Sequence, residues 1–377
     1  MVYVVHMSDI QQCSLDDLEK YIREAKEDVR SNSGRIDRWV IHGDSNAFRA
    51  NKQLTKPFAK AAGIPRPELR WIAAVIAGDD GALPYPQNKP INPHSEIYQT
   101  LADVLREGNE MTRQRIGLIS RMAEAPVVMI RGNSEPVYSL WALFGHHALI
   151  EKGELEPVEE VIRREARKSN IIRYLEDELI VSEFCGGDGL GPAYPAIVQY
   201  CIPWNDSGLA RMIAEYSGVS CSLIVDEMVK QERKLAASVD YALRRHRIGD
   251  IVTINMHGAP TRELSAAALR YKGENGKDVE QEALVDMIFR RLAERIGPHK
   301  DVSIRLLYGH DGVEVFVDQI AELHGVEFRG IHLVEEGPAH YENLFSGEIT
   351  LSPSAKAIHD ETVRKYKEMQ TQNGAKK

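Results

Sequence analysis

Cysteine is scarce in this 377-residue chain: Cys13, Cys185, Cys201 and Cys221 are the only four, and no two of them form a C-x-x-C pair. That argues against a structural zinc knuckle and points to free thiols in a reducing compartment. Long apolar runs are missing as well; none approaches the roughly 18 residues that a membrane span requires. The opening MVYVVHMSD has no basic flank or cleavage pattern and reads as a first strand, not a signal peptide, so a cytoplasmic protein with no membrane partner is expected. Excess positive charge is also lacking: 47 Lys and Arg stand against 56 Asp and Glu, a net charge of −9. This disfavours nucleic acid held through broad phosphate contacts, because counterion release needs clustered basic residues. It does not exclude a phosphate substrate, since a metal supplies the local positive charge that an acidic surface lacks. The basic clusters at 163–168, 244–247 and 290–295 fall on helical stretches, and those at 163–168 and 290–295 are interleaved with Glu; all three read as solvated faces. The Gly/Pro-rich piece 184–195 lacks the Lys and Ser/Thr of a phosphate loop and reads as a mobile loop or a cap.

What the chain does have is five apolar, strand-like runs that each stop at a metal-ligand residue. They are VYVVHMSDIQ at Asp9, RWVIHGDSN at Asp44, APVVMIRGNSE at Asn133, DIVTINMHGAP at His257 and VSIRLLYGHDG at His310. A short Val/Ile/Leu/Met/Tyr run followed by Gly, Ser or Asn reads as a buried strand ending in a turn. Residues at such ends share one rim of a sheet, where oxygen and imidazole donors can enclose a divalent cation. The glycines before Asp44, Asn133 and His310 are expected to let the backbone turn sharply. Taken singly, each Asp can equally be a cap of the following helix, and each His a hydrogen-bonded strand-end residue.

In order and content the five blocks resemble the calcineurin-like metallophosphoesterases, whose series runs D-x-H, G-D-x-x-D/N, G-N-x-D/E, H-G-x-P and G-H-x-H. Here it stands as Asp9-Ile10-Gln11, Gly43-Asp44, Gly132-Asn133-Ser134-Glu135, His257-Gly258-Ala259-Pro260 and Gly309-His310-Asp311-Gly312. The resemblance spans about residues 1–355, with an echo of the family's Asn-Pro-Gly-Ser turn in Leu351-Ser352-Pro353-Ser354. It implies a two-sheet α/β sandwich flanked by helices, with metals at the strand ends. One metal position of the family maps completely onto Asp44, Asn133, His257 and His310. The other keeps Asp9 and the shared Asp44, but Gln11 and Gly312 stand where the family has histidines. Gln11 offers only an amide oxygen, a donor that favours harder ions such as Mn²⁺ or Mg²⁺; Gly312 offers no side chain, and His332 or His340 is a possible replacement. Ser134 takes the place of a His that many members use to protonate the leaving group.

A second Gly-Asp stop, RWIAAVIAGDDG at Asp79 and Asp80, competes with Asp44 for the bridging position. Asp44 is preferred because it follows Asp9 by 35 residues, room for one helix between two parallel strands. The interval from Asp44 to Asn133 is 89 residues, so an insertion is expected near 57–95, and a second near 139–220. Helical spacing is read at Leu15–Arg30, Ile97–Met122, Glu154–Arg173, Asp226–Arg247 and Glu280–Ile296. The expected organisation is one metallophosphoesterase-like domain over 1–355, followed by a C-terminal helix and polar tail over 356–377. The function implied is metal-dependent hydrolysis of a phosphomonoester or phosphodiester, a small molecule or nucleotide, with Asp44, Asn133 and His257 as catalytic residues. The metal set implied is Asp9, Gln11, Asp44, Asn133, His257 and His310, with Mn²⁺ foremost and Mg²⁺, Zn²⁺ or Fe²⁺ as alternatives. The competing class is a non-catalytic scaffold of the same fold in a larger assembly, favoured by the three departures at Gln11, Ser134 and Gly312.

Overall fold

The computed structural model describes residues 1–43, 96–130, 156, 158–175, 180–183, 196–199, 251–258, 269–272, 278–281, 290, 293–294, 303–309 and 315–374. The first strand, β1 (Val2–Ser8), ends in a single 3-10 turn, Ile10–Gln12, and the chain enters helix α1 (Leu15–Ser31). Ser14 caps that helix, its side chain accepting from Asp17 N–H at 3.0 Å, and Asp16 and Asp17 complement the positive end of the helix dipole. Leu18, Ile22, Ala25 and Val29 recur at helical spacing and form its buried stripe. Strand β2 (Arg35–His42), helix α2 (Glu96–Met122), strand β3 (Val127–Ile130), helix α3 (Val158–Lys168) and strand β4 (Ile172–Leu175) continue the alternation.

The expected helix over Glu154–Arg173 is shorter than its Arg/Glu pattern suggested. It closes at Lys168, where Ser169 N–H bonds back to Ala166 O, and Ile172–Leu175 is drawn into parallel pairing with β3. The start of the expected Glu280–Ile296 helix is likewise strand. β8 (Leu269–Lys272) and β9 (Asp278–Gln281) form an antiparallel pair, with Arg270 opposite Glu280 in register. The expected insertions near 57–95 and 139–220 fall mostly, and the helix Asp226–Arg247 entirely, outside the described residues.

The remaining strands are a hairpin of β5 (Ile180–Glu183) and β6 (Ala196–Gln199), then β7 (Ile251–Gly258), β10 (Ser303–Gly309), β11 (Val317–Leu323), β12 (Val326–His332), β13 (His340–Asn343) and β14 (Ile349–Leu351). The chain is a mixed α/β structure with two principal sheets. The six-stranded one has the order β14-β13-β1-β2-β3-β4, its last four strands parallel; the four-stranded one has the order β11-β12-β10-β7, with β12, β10 and β7 parallel. On one face of the larger sheet, Val5, Met7, Trp39 and Met129 pack on α1, α2 and α3. The opposite residues of the same strands, Val4, Val40, Val128 and Ile130, form a second apolar layer, as the two-residue period of a strand requires. The C-terminal helix α4 (Pro353–Gly374) starts with proline at its first position, with Ser352 Oγ accepting from Ala355 N–H at 3.1 Å. Glu24 of α1 fastens it by accepting from Ser354 N–H at 2.9 Å and Ser354 Oγ–H at 2.6 Å.

Candidate metal centre

Parallel pairing decides which strand ends meet. In the larger sheet Ser8 of β1 lies opposite His42 of β2, and His42 opposite Ile130 of β3, so three strands finish on one line. In the smaller sheet Gly309 of β10 lies opposite Gly258 of β7. The two lines touch. A Cβ placed on Gly309 would overlap the Ser8 hydroxyl and stand 2.7 Å from Asp9 Oδ2. The C-terminal ends of β1, β2, β3, β7 and β10, the five segments singled out in the sequence, therefore form one rim.

At that rim Asp9 is 1% exposed and takes a left-handed backbone, φ 51°, which Asp tolerates better than most residues. It occupies the cap position of the 3-10 turn without its side chain capping it; instead Asp9 Oδ2 accepts from the Ser8 hydroxyl. The capping role open in the sequence is thus not the one the carboxylate takes. Gln11 is buried in the same turn. Arg115 of α2, itself buried, holds the turn from beneath by donating from Nη2 to Gln11 O at 2.8 Å and Cys13 O at 2.6 Å. Burial lowers the guanidinium's pKa. Cys13 is a free buried thiol, pushed up to about 12 by burial and donating to Glu336 O at 2.7 Å.

Two glycines of the rim, Gly43 and Gly309, do different work. Gly43 has φ 66° and supplies the expected turn. Gly309 is not in the left-handed region; glycine is needed there because Ser8 and Asp9 leave no space for a side chain.

Directly beneath the rim, the layer between the sheets turns polar. His6 Nε2 lies 2.9 Å from Glu342 Oε2, and His6 Nδ1 lies 3.0 Å from His42 Nε2. Arg305 pairs with Glu342, donates from Nη2 to Thr253 Oγ1 at 2.8 Å and also bonds Gly347 O. Burial pushes the Glu342 carboxyl up, but Arg305 and His6 outweigh it and hold it below the usual carboxylate range. Asn255 of β7 is fully buried with neither amide atom hydrogen-bonded, two residues before His257. Of the described residues at this end of the molecule, Asp9, Gln11 and His257 are the ones the sequence singles out. Ser8, His6, His42, Glu342, Arg305, Asn255 and Arg115 are not among them, although His6 and Ser8 alternate with apolar residues in β1 and His42 closes β2.

Of the other expected site residues, His257 is the penultimate residue of β7, within the strand and not after it. Asp44, Asn133 and His310 lie outside the described residues, as do Asp79, Ser134 and Gly312. Among the described residues no three His, Cys, Asp or Glu side chains are placed to hold a metal ion. The two histidines named as replacements for Gly312 have other surroundings. His332 pairs in register with Tyr308, on the face of β10 opposite to Arg305 and Gly309, and its ring stands edge-on to Tyr308 at 5.3 Å. His340 stacks on Phe316 at 5.9 Å and its Nε2 accepts from Val334 N–H at 3.1 Å.

Burial holds both rings neutral, pushing His332 down to about 4 and His340 to about 3. Their folded pKa values lie below the roughly 6.5 of an unfolded histidine, so their stabilising contribution is full above pH 6.5 and is lost as pH falls toward the folded values. Chemical denaturation of metal-free protein should therefore show stability falling from pH 6.5 to 5, by up to about 1.4 kcal/mol per pH unit for each ring. His340→Gln should flatten that slope; an unchanged slope would show that His340 is not held neutral.

No family model and no curated protein matches the chain. Among solved structures, a 5'-nucleotidase from Candida albicans aligns with 90% of this chain and 46% of its own length, at 10% identity and a TM-score of 0.29. The chain thus spans less than half the length of that protein. Among the described residues no helix is long and apolar enough to cross a membrane.

Proposed function

We propose that the chain is a metal-dependent phosphoesterase whose site is the rim where the two sheets meet. The observation that carries the reading is the contact of Gly309 with Ser8 and Asp9: it brings the ends of β7 and β10 to the ends of β1, β2 and β3. The residues fit a hard divalent cation. Asp9 presents a buried carboxylate that does not cap its 3-10 turn, and in sequence oxygen and imidazole donors stand within or shortly after the ends of the other four strands. Asp44, Asn133, His257 and His310 would hold one ion firmly; Asp9, Gln11 and the shared Asp44 would hold a second weakly. Mn²⁺ suits this oxygen-rich set best, with Mg²⁺, Zn²⁺ or Fe²⁺ as alternatives. When bound, such an ion lowers the pKa of a water molecule toward neutrality and offsets charge on phosphoryl oxygens. Asp44 would anchor the ions, His257 and Asn133 would orient the phosphoryl group, and the Ser8 hydroxyl would hold the Asp9 carboxylate in place.

The substrate class is a small phosphomonoester, phosphodiester or nucleotide. Initial rates on one example of each, with Mn²⁺, Mg²⁺, Zn²⁺ and Fe²⁺ in turn, test the reading, and turnover that requires added metal is the expected result. Gln11, Ser134 and Gly312 favour a second reading, a non-catalytic scaffold subunit of a larger assembly that keeps the fold without turnover; no bound metal and no hydrolysis of any ester would select it.

A further inference from the structure

A layer between two packed sheets is ordinarily apolar. Here it carries an Arg–Glu pair and two histidines, all at 2% exposure or less, immediately under the rim. We propose that Glu342 is a positioning residue: it sets the tautomer of His6, and through His6 that of His42, and so fixes the end of β2 from which Gly43 and Asp44 follow. The consequence for metal binding rests on the phosphoesterase reading; the tautomers do not.

The argument runs along the hydrogen bonds. An ionised carboxylate only accepts, so the His6 Nε2 facing Glu342 at 2.9 Å carries a proton. Arg305 and Glu342 already balance each other's charge, and a further proton on either ring would leave a net charge in a fully buried layer, at a large desolvation cost. His6 Nδ1 is therefore a bare acceptor, and His42 Nε2, 3.0 Å away, is the donor. His42 is thereby committed to the tautomer protonated at Nε2, with its lone pair at Nδ1, and its ring is fixed in orientation. It is the last residue of β2, opposite Ser8 in register and next to the left-handed Gly43. Arg305 extends the same chain to Thr253 of β7. Four of the five strands that end at the rim are thus joined to one another by side chains just below it.

The test is ¹⁵N-histidine NMR on the full chain, with His42 assigned by loss of its signals in His42→Asn, together with calorimetric Mn²⁺ binding. In the parent protein His42 should show a protonated Nε2 and a bare Nδ1. In His6→Phe, which leaves Arg305 and Glu342 paired, that preference should be lost and Mn²⁺ should bind at least tenfold more weakly while unfolding stays cooperative. His6→Gln, whose amide can donate to Glu342 and accept from His42, should restore most of the affinity, which a merely space-filling role would not predict. A parent His42 protonated at Nδ1 overturns the proposal without any variant, as does a His6→Phe protein with unchanged tautomer and unchanged affinity. Failure of the parent to bind Mn²⁺ would overturn the phosphoesterase reading instead, while the tautomer spectrum would still decide this one.

Discussion

Gly309→Ala is expected to lose at least about a hundredfold in metal-dependent activity, the scale at which an ångström of misplacement acts on a reacting geometry. The added methyl would overlap the Ser8 hydroxyl, stand 2.9 Å from Ser8 Cβ and 2.7 Å from Asp9 Oδ2. Ser8 Cβ is fixed to the backbone of β1, so a change of rotamer alone does not make room. Either the end of β10 retreats or the Asp9 carboxylate moves, and both open the rim. The overpacking itself should cost about 1–3 kcal/mol. Gly330→Ala is the matched control, because its nearest neighbour is the movable Tyr308 hydroxyl at 3.2 Å. Initial rates and urea unfolding on both variants decide the matter: a Gly309→Ala protein as active as the parent would mean that the two sheets do not share a site.

Asp44→Asn is expected to abolish phosphoesterase activity, and Asp79→Asn to leave it within about threefold of the parent, because neutral amide oxygen is a poor substitute for a carboxylate between two cations. The expectation separates the two Gly-Asp stops of the sequence. β1, α1 and β2 form one right-sized crossover, with β2 directly beside β1 in parallel register. Asp44 follows the strand end next to Asp9; neither Asp44 nor Asp79 is among the described residues. Metal-dependent rates of the two variants on the best ester of the panel provide the test. Reversed outcomes would move the bridging position to Asp79 and place an insertion between β1 and the strand that carries it.

Much of this architecture was legible because periodicity and punctuation agreed. The helical spacing over Leu15–Arg30 marks the first helix to within a residue, and the apolar runs before Asp9 and His310 end as strands at Ser8 and Gly309. Legibility failed where pairing overrode local pattern. Ile172–Leu175 and Glu280–Gln281 look helical in isolation and become strands through partners that no local window contains. The same limit applied to the site. Strand ends can be read from sequence, but their meeting is a non-local fact, and so is the reason that Gly309 has no side chain. The Arg305–Glu342–His6–His42 chain joins residues up to 336 positions apart, and only the register of β13 against β1 brings Glu342 to His6. Asp9 was readable as a ligand type; that its carboxylate leaves the cap empty was not.

The most direct measurement of the central claim is calorimetric titration of Mn²⁺ into metal-stripped protein, run beside His257→Ala. The parent should take up one ion tightly and a second loosely, as a complete donor set beside one weakened at Gln11 and Gly312 requires, and His257→Ala should lose the tight one. A parent that binds no divalent ion, or a His257→Ala protein that binds as the parent does, would contradict it.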